Sequence, residues 1–169
     1  MKLLKNILLA TDFSKSSEYV LQNAIDLAKR FQSQITLIYV LPKKIKNKKA
    51  KELLKAFVLK QLAIINERLV NEGIHVSEPL LYKGDLSDKI IYASERINAN
   101  MIMIGGGEKL ENNVLQLGSN AEKIIKKSGI PVFVVKNNNQ LSINSILCPV
   151  DFSKESKRAL KNAITIVLP

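Results

Sequence analysis

Short apolar runs alternate along this chain with longer stretches in which apolar side chains return every three or four residues. The first kind reads as a buried strand, the second as one face of a helix. Residues 7–11 are a run rich in Ile and Leu that stops at Asp12-Phe13-Ser14, where Asp12 or Ser14 can cap the next helix. Between residues 16 and 31 the apolar positions Val20, Leu21, Ala24, Ile25, Leu27 and Ala28 share one helical face. Residues 35–41 read as a second strand, stopped by Pro42. Helical spacing resumes from about residue 48 to 72 through Leu54, Val58, Leu62, Ile65 and Leu69, and Gly73 is placed to end it. Residues 74–83 alternate loosely as a third strand. The turn Gly84-Asp85-Leu86-Ser87 opens a helix from Ser87 to about Asn98. Residues 101–104 are a fourth strand, ending in Gly105-Gly106-Gly107. After a polar loop, Ser119 is expected to cap a helix to Ser128, with Gly129 ending it and residues 131–136 forming a fifth strand.

Five strands alternating with helices predict an α/β fold: a five-stranded parallel sheet with helices on both faces, because crossover helices connect parallel strands. Such sheets bind ligands outside the carboxyl ends of their strands, near the point where strand order reverses. That singles out Asp12, Val40, Gly84-Asp85 and the chain from Gly105 onward.

After the polar linker at residues 138–144 the sequence repeats itself. Ile146-Leu147-Cys148-Pro149-Val150-Asp151-Phe152-Ser153-Lys154 matches Ile7-Leu8-Leu9-Ala10-Thr11-Asp12-Phe13-Ser14-Lys15. The match continues through Ser17/Ser156, Leu21/Leu160 and Asn23-Ala24-Ile25/Asn162-Ala163-Ile164, always 139 residues apart, as 146 − 7 and 162 − 23 both show. A period this long means a duplicated domain. The organisation expected is a domain over residues 1–137, the linker, and at 145–169 the first strand and helix of a second, truncated copy. A lone strand-helix unit is expected to pack on the first domain, to pair with another chain, or to be the visible beginning of a longer tandem protein, the last being favoured.

The chain has 169 residues, enough to bury a core without staples. One cysteine, Cys148, cannot form an intramolecular disulfide, which fits a reducing, cytoplasmic setting. With one histidine, His75, a His/Cys zinc cluster within one chain is excluded, and so is a Ser-His-Asp triad without that residue. Cys148 takes the apolar strand position of Leu9 and is expected to be buried; His75 is expected to be a structural or surface histidine. The formal net charge is +11, from 26 basic and 15 acidic residues. Eight of the lysines fall between Lys43 and Lys60, against Glu52 alone. This stretch admits two readings: an anion or nucleic-acid patch, or a solvated loop and helix start. No aromatic lies among its lysines before Phe57 and no arginine lies in it, so the solvated reading is favoured.

Together, Ile7-Leu8-Leu9-Ala10-Thr11-Asp12-Phe13-Ser14, the strand end at Val40, and Gly105 with Gly118-Ser119 before Ile130-Pro131-Val132-Phe133-Val134-Val135 resemble the universal stress protein family. The repeat resembles its members that carry two domains in tandem. The resemblance implies an adenine nucleotide alpha hydrolase-like fold and an adenine nucleotide, ATP in many members, as ligand. It places the nucleoside at Asp12, adenine at the backbone of Val40, and phosphates at Gly105, Gly118 and Ser119, with Thr11 and Asn120 also among the cofactor-binding residues. Glu108 stands where those members have a second glycine. A carboxylate there repels phosphate and fills the space a glycine leaves open, so weak or absent ATP binding is expected. The resemblance also implies a non-enzymatic stress-response regulatory module without a membrane span. It implies a homodimer through the edge strand at Val132–Val135 or through exchange of the tail. The competing classes are an anion- or nucleic-acid-binding protein using the lysine stretch, and a nucleotide-dependent enzyme. The residues after the first strand, Thr11-Asp12-Phe13-Ser14, lack the Ser-Gly-Gly or His motif such enzymes place there.

Overall fold

The computed structural model describes residues 4–45, 47–106, 117–136 and 145–167. The strands are β1 (Asn6–Ala10), β2 (Gln34–Leu41), β3 (His75–Val76), β4 (Leu80–Lys83), β5 (Met101–Gly105) and β6 (Val132–Val135). The helices are α1 (Lys15–Phe31), α2 (Lys48–Asn71), α3 (Leu86–Arg96), α4 (Ser119–Lys127) and α5 (Lys154–Val167). All pairing is parallel, in the order β3-β2-β1-β5-β6, with β4 also on β2. The α/β architecture expected from the alternation is therefore present.

The third expected strand is broken in two. Gln34 and Ile35 pair with His75 and Val76, and Ile38 to Leu41 pair with Leu80 to Lys83. Pro79, which has no N–H to donate, lies in the gap. Both halves lie on one side of β2, so the sheet is still five strands wide.

Alternation along β1 and β2 divides the core. Ile7, Leu9, Ile35 and Leu37 face α1 and α2, where Val20, Leu21, Ile25, Val58, Leu62 and Leu69 are buried. Leu8 and Ile38 face α3 and α4, meeting Ile90, Ala93 and Ile124. One helix start and one cap shift. α3 begins at Leu86 rather than Ser87, and Asp85 caps it, its carboxylate accepting from the Asp88 N–H at 3.2 Å. Gly118, not Ser119, holds the N-cap of α4 and has no side chain to close it.

The strand and helix expected at residues 145–169 form only in part. α5 is present, but residues 145–150 are not a strand. A helix satisfies its backbone from within, whereas a strand needs a neighbour's ladder, and Pro149 has no N–H where the matching residue, Ala10, has one. Cys148 is accordingly half-buried rather than enclosed. The tail rests on the first domain. Ile166 packs against the core, the Arg30 guanidinium donates to the Val167 carbonyl at 2.8 Å, and Arg158 donates to the Gly129 carbonyl at 3.4 Å.

Candidate functional site

The chain runs outward from central β1 to β2 and the β3/β4 edge, then returns to β1's other side as β5. The order reverses between β1 and β5, and there a cavity of about 270 Å³ opens at the strands' carboxyl ends. Ala10, Ile38, Ile104, Ile90 and Ile124 make its apolar base. Thr11, Asp12, Gly105, Gly118, Ser119 and Asn120 make its polar side.

The polar side is built locally. The Asp12 carboxylate accepts from the Ser14 N–H at 3.0 Å, the Ser14 hydroxyl at 2.6 Å and the Ser17 hydroxyl, all through Oδ1. Ser14 caps α1 by accepting from the Ser17 N–H at 3.2 Å. The turn forces Phe13 to a φ of 62°, a conformation uncommon for a bulky side chain. Partial burial pushes the Asp12 carboxyl up, but the hydrogen bonds from Ser14 and Ser17 outweigh it and hold the group below its ordinary range. Burial, and then the Asp12 charge, push the Tyr39 phenol up. Oδ2 of Asp12 has no hydrogen-bond partner among the described residues.

Across the cavity, α4 starts with no side-chain cap. Its first N–H groups have no intrahelical partner, so this end carries free donors and the positive end of the helix dipole. Gly118 is tied back by its N–H to the Gly106 carbonyl at 2.9 Å, and Gly106 in turn donates to Val135 at 2.9 Å. A Cβ on Gly106 would stand 2.6 Å from Lys136 Cγ and 3.1 Å from Val134 Cγ1, so glycine lets the end of β5 lie against β6.

Of the residues the sequence singled out, Thr11, Asp12, Gly105, Gly118, Ser119 and Asn120 all line this cavity. Val40 does not; it sits near the end of β2 beside the cluster of Leu8 and Ile38, paired in register with Tyr82. Glu108 lies outside the described residues. Sequence reasoning missed Ser16, Ser17, Leu86 and Ile90 as lining residues. For Ser17 a signal existed, since it recurs as Ser156. Asp151 in the tail repeats the turn, accepting from the Ser153 N–H at 2.9 Å with Phe152 at a φ of 64°. There the bonds from Ser153 and Ser156 hold its carboxyl down at about 2. Lys43 and Lys44 precede α2, and Lys48, Lys49, Lys51, Lys55 and Lys60 lie along it, with no acid in its first turn; His75 is exposed. Among the described residues no group of three or more His, Cys, Asp or Glu side chains could hold a metal ion. No described helix is long and apolar enough to cross a membrane.

A doubly wound parallel sheet with a cavity and a bare helix N-terminus at its switch point defines a class of open α/β proteins. Within that class, residues 4–136 match the model of the Universal stress protein family, and the chain belongs to that family. It is 30% identical over 142 residues to a universal stress protein of Methanocaldococcus jannaschii, covering 79% of this chain and 83% of the relative. A universal stress protein structure from Archaeoglobus fulgidus superposes with a TM-score of 0.62 at 26% identity, over 78% of this chain and 93% of that one. Another from the same organism, solved in complex with dAMP, gives 0.59 at 24% identity over 79% and 98%.

Proposed function

We propose that this chain is a stress-response regulatory module that binds an adenine nucleotide in the cavity between β1 and β5 and performs no chemistry on it. The observation that carries the reading is the pairing of a free Asp12 Oδ2 with the uncapped start of α4 across one cavity. A carboxylate oxygen suits ribose hydroxyls, which donate; bare N–H groups suit phosphate, which accepts. That a universal stress protein of the same fold was solved with dAMP supports the choice of ligand. The residues after β1, Thr11-Asp12-Phe13-Ser14, lack the Ser-Gly-Gly or His motif that nucleotide-dependent enzymes place there, which supports a binding role over catalysis. The repeated Asp-Phe-Ser-Lys motif supports reading the tail as part of a second copy, and the edge position of β6 supports a homodimer through that strand or the tail.

Calorimetry with AMP and ATP on the parent, Ser119→Ala, Glu108→Gly and Glu108→Gln proteins tests the site. AMP is expected to bind and Ser119→Ala to weaken it. Glu108→Gly is expected to strengthen ATP binding by up to about a hundredfold, since a nearby like charge opposes it by about 1–3 kcal/mol. Glutamine keeps the bulk and removes the charge, so it separates repulsion from crowding. No heat with either nucleotide overturns the reading, and steady release of ADP from ATP overturns its non-enzymatic part. Sedimentation showing monomer alone at high concentration overturns the dimer.

A further inference from the structure

We infer that this chain has a second ligand site, for a small apolar organic anion, on the opposite face of the sheet from the nucleotide cavity. Between α1 and α2, at the carboxyl ends of β1 and β2, lies a separate cavity of about 350 Å³. Its floor is the fully buried Leu9 and Leu37 with Leu21 of α1, and Ile64 and Ile65 of α2 wall it. Phe13 closes the end nearest the strand tips. Its ring is stacked on Tyr39 with centroids 5.0 Å apart and meets the edge of Phe57 at 6.2 Å. Neither helix fills the space: Ile64 stays 50% exposed beside a core where Leu37 is 0% exposed. A pocket with an apolar floor, one rigid aromatic wall and a few polar groups at its mouth is the usual form of a small-molecule site.

The mouth decides the ligand's charge. Three ionic side chains stand on it: Lys15, Glu18 and Arg68. Glu18 is taken by an ion pair with Arg68, which also donates to the Gln22 side chain at 3.4 Å. Lys15 has no ion-pair partner among the described residues. An anionic head therefore finds a free ammonium at the rim while its apolar body replaces water over the leucine floor. A cation or a neutral amphiphile of the same size lacks the first of these gains.

The two cavities share Thr11 and Ser17, so the Asp12 turn is the wall between them. The second site nevertheless stands without the nucleotide reading, because its floor, wall and rim cation lie on the α1/α2 side.

The test uses the full chain and three probes: 8-anilinonaphthalene-1-sulfonate, decanoate and decanol. Fluorescence of the aryl sulfonate is expected to saturate at one site and be displaced by decanoate about tenfold more effectively than by decanol, the difference being the charge-assisted contact at Lys15. Lys15→Glu is expected to abolish that preference. Ile64→Glu, at a half-exposed wall position, is expected to weaken the aryl sulfonate about tenfold by placing an unpaired carboxylate against it. Methyl NMR is expected to show decanoate shifting Ile64, Ile65 and Leu21. Leu160→Glu on the tail and Ser119→Ala in the nucleotide cavity are expected to change none of this. Equal displacement by decanol, or loss of binding in Leu160→Glu and not in Ile64→Glu, overturns the site. So does an absence of shifts at the three methyl residues. None of those results bears on AMP calorimetry, so failure here is distinct from failure of the nucleotide site.

Discussion

A single short turn carries most of the chemistry of this molecule, and it appears twice. Asp12 and Asp151 each accept hydrogen bonds from a serine two residues on, and each is followed by a phenylalanine with positive φ. Because the bonds span at most five residues, the turn needs no sheet; the tail copy forms it with no strand before it. Hydrogen bonds to a carboxylate favour its charged form, so the folded-state value falls below the unfolded one. The stability so gained is present above the ordinary value of 3.8 and disappears as pH falls through the folded value, about 2 for Asp151. In a carboxyl NMR titration Asp151 is expected to titrate near 2 and Asp12 below 3.8. A midpoint for Asp151 at 3.8 would mean that the serine turn is not formed in solution.

At the scale of elements, α2 shows how burial and periodicity part company. Its apolar residues are not confined to one stripe: Leu62 is 1% exposed, while Leu53 is 63% and Phe57 52% exposed. Sequence reading of Leu54, Val58, Leu62, Ile65 and Leu69 as the inner face agrees with the structure, since all five belong to the core facing β2. The outer apolar positions need no core to explain them, and Phe57 and Ile64 belong to the second cavity's surroundings instead. Leu62→Ala is expected to cost about 2–5 kcal/mol, for lost transfer energy and an unfilled cavity. Leu53→Ala is expected to stay within about 0.5 kcal/mol of the parent, as an exposed change away from caps and buried groups. Urea denaturation of the two variants decides it; equal losses would place Leu53 in an interface.

For the whole molecule the question is what the tail contributes. Its described attachments to the first domain include Ile166 on the core and two arginine bonds to backbone carbonyls. Leu21 and Ile25 of the first domain are 4% and 1% exposed, whereas the residues that repeat them in the sequence, Leu160 and Ile164, are 41% and 47% exposed. The same side chains are thus core at one place in the repeat and surface at the other. A chain ending at residue 136 is therefore expected to fold and to unfold within about 8 °C of the full chain, a shift equivalent to about 1–2 kcal/mol. Differential scanning fluorimetry measures this, and collapse of the shortened chain would show that the tail completes the first domain's core.

What the sequence determined alone was whatever local pattern can specify. The alternation of buried strands and one-faced helices sets the parallel α/β class, because periodicity states which side of each element must leave water. The Asp12 turn, the C-terminal glycine after α2 and the repeat at 139 residues are likewise legible, being short-range or self-referring. The tertiary structure decided the rest. It broke the third strand at Pro79, left residues 145–150 without a ladder, and kept Val40 out of the cavity wall. It also set Phe13, Lys15 and Ile64, from different elements, around one opening. Strand pairing and cavities depend on which distant segments meet and on space left unfilled between them, and neither quantity is written in the order of residues along the chain.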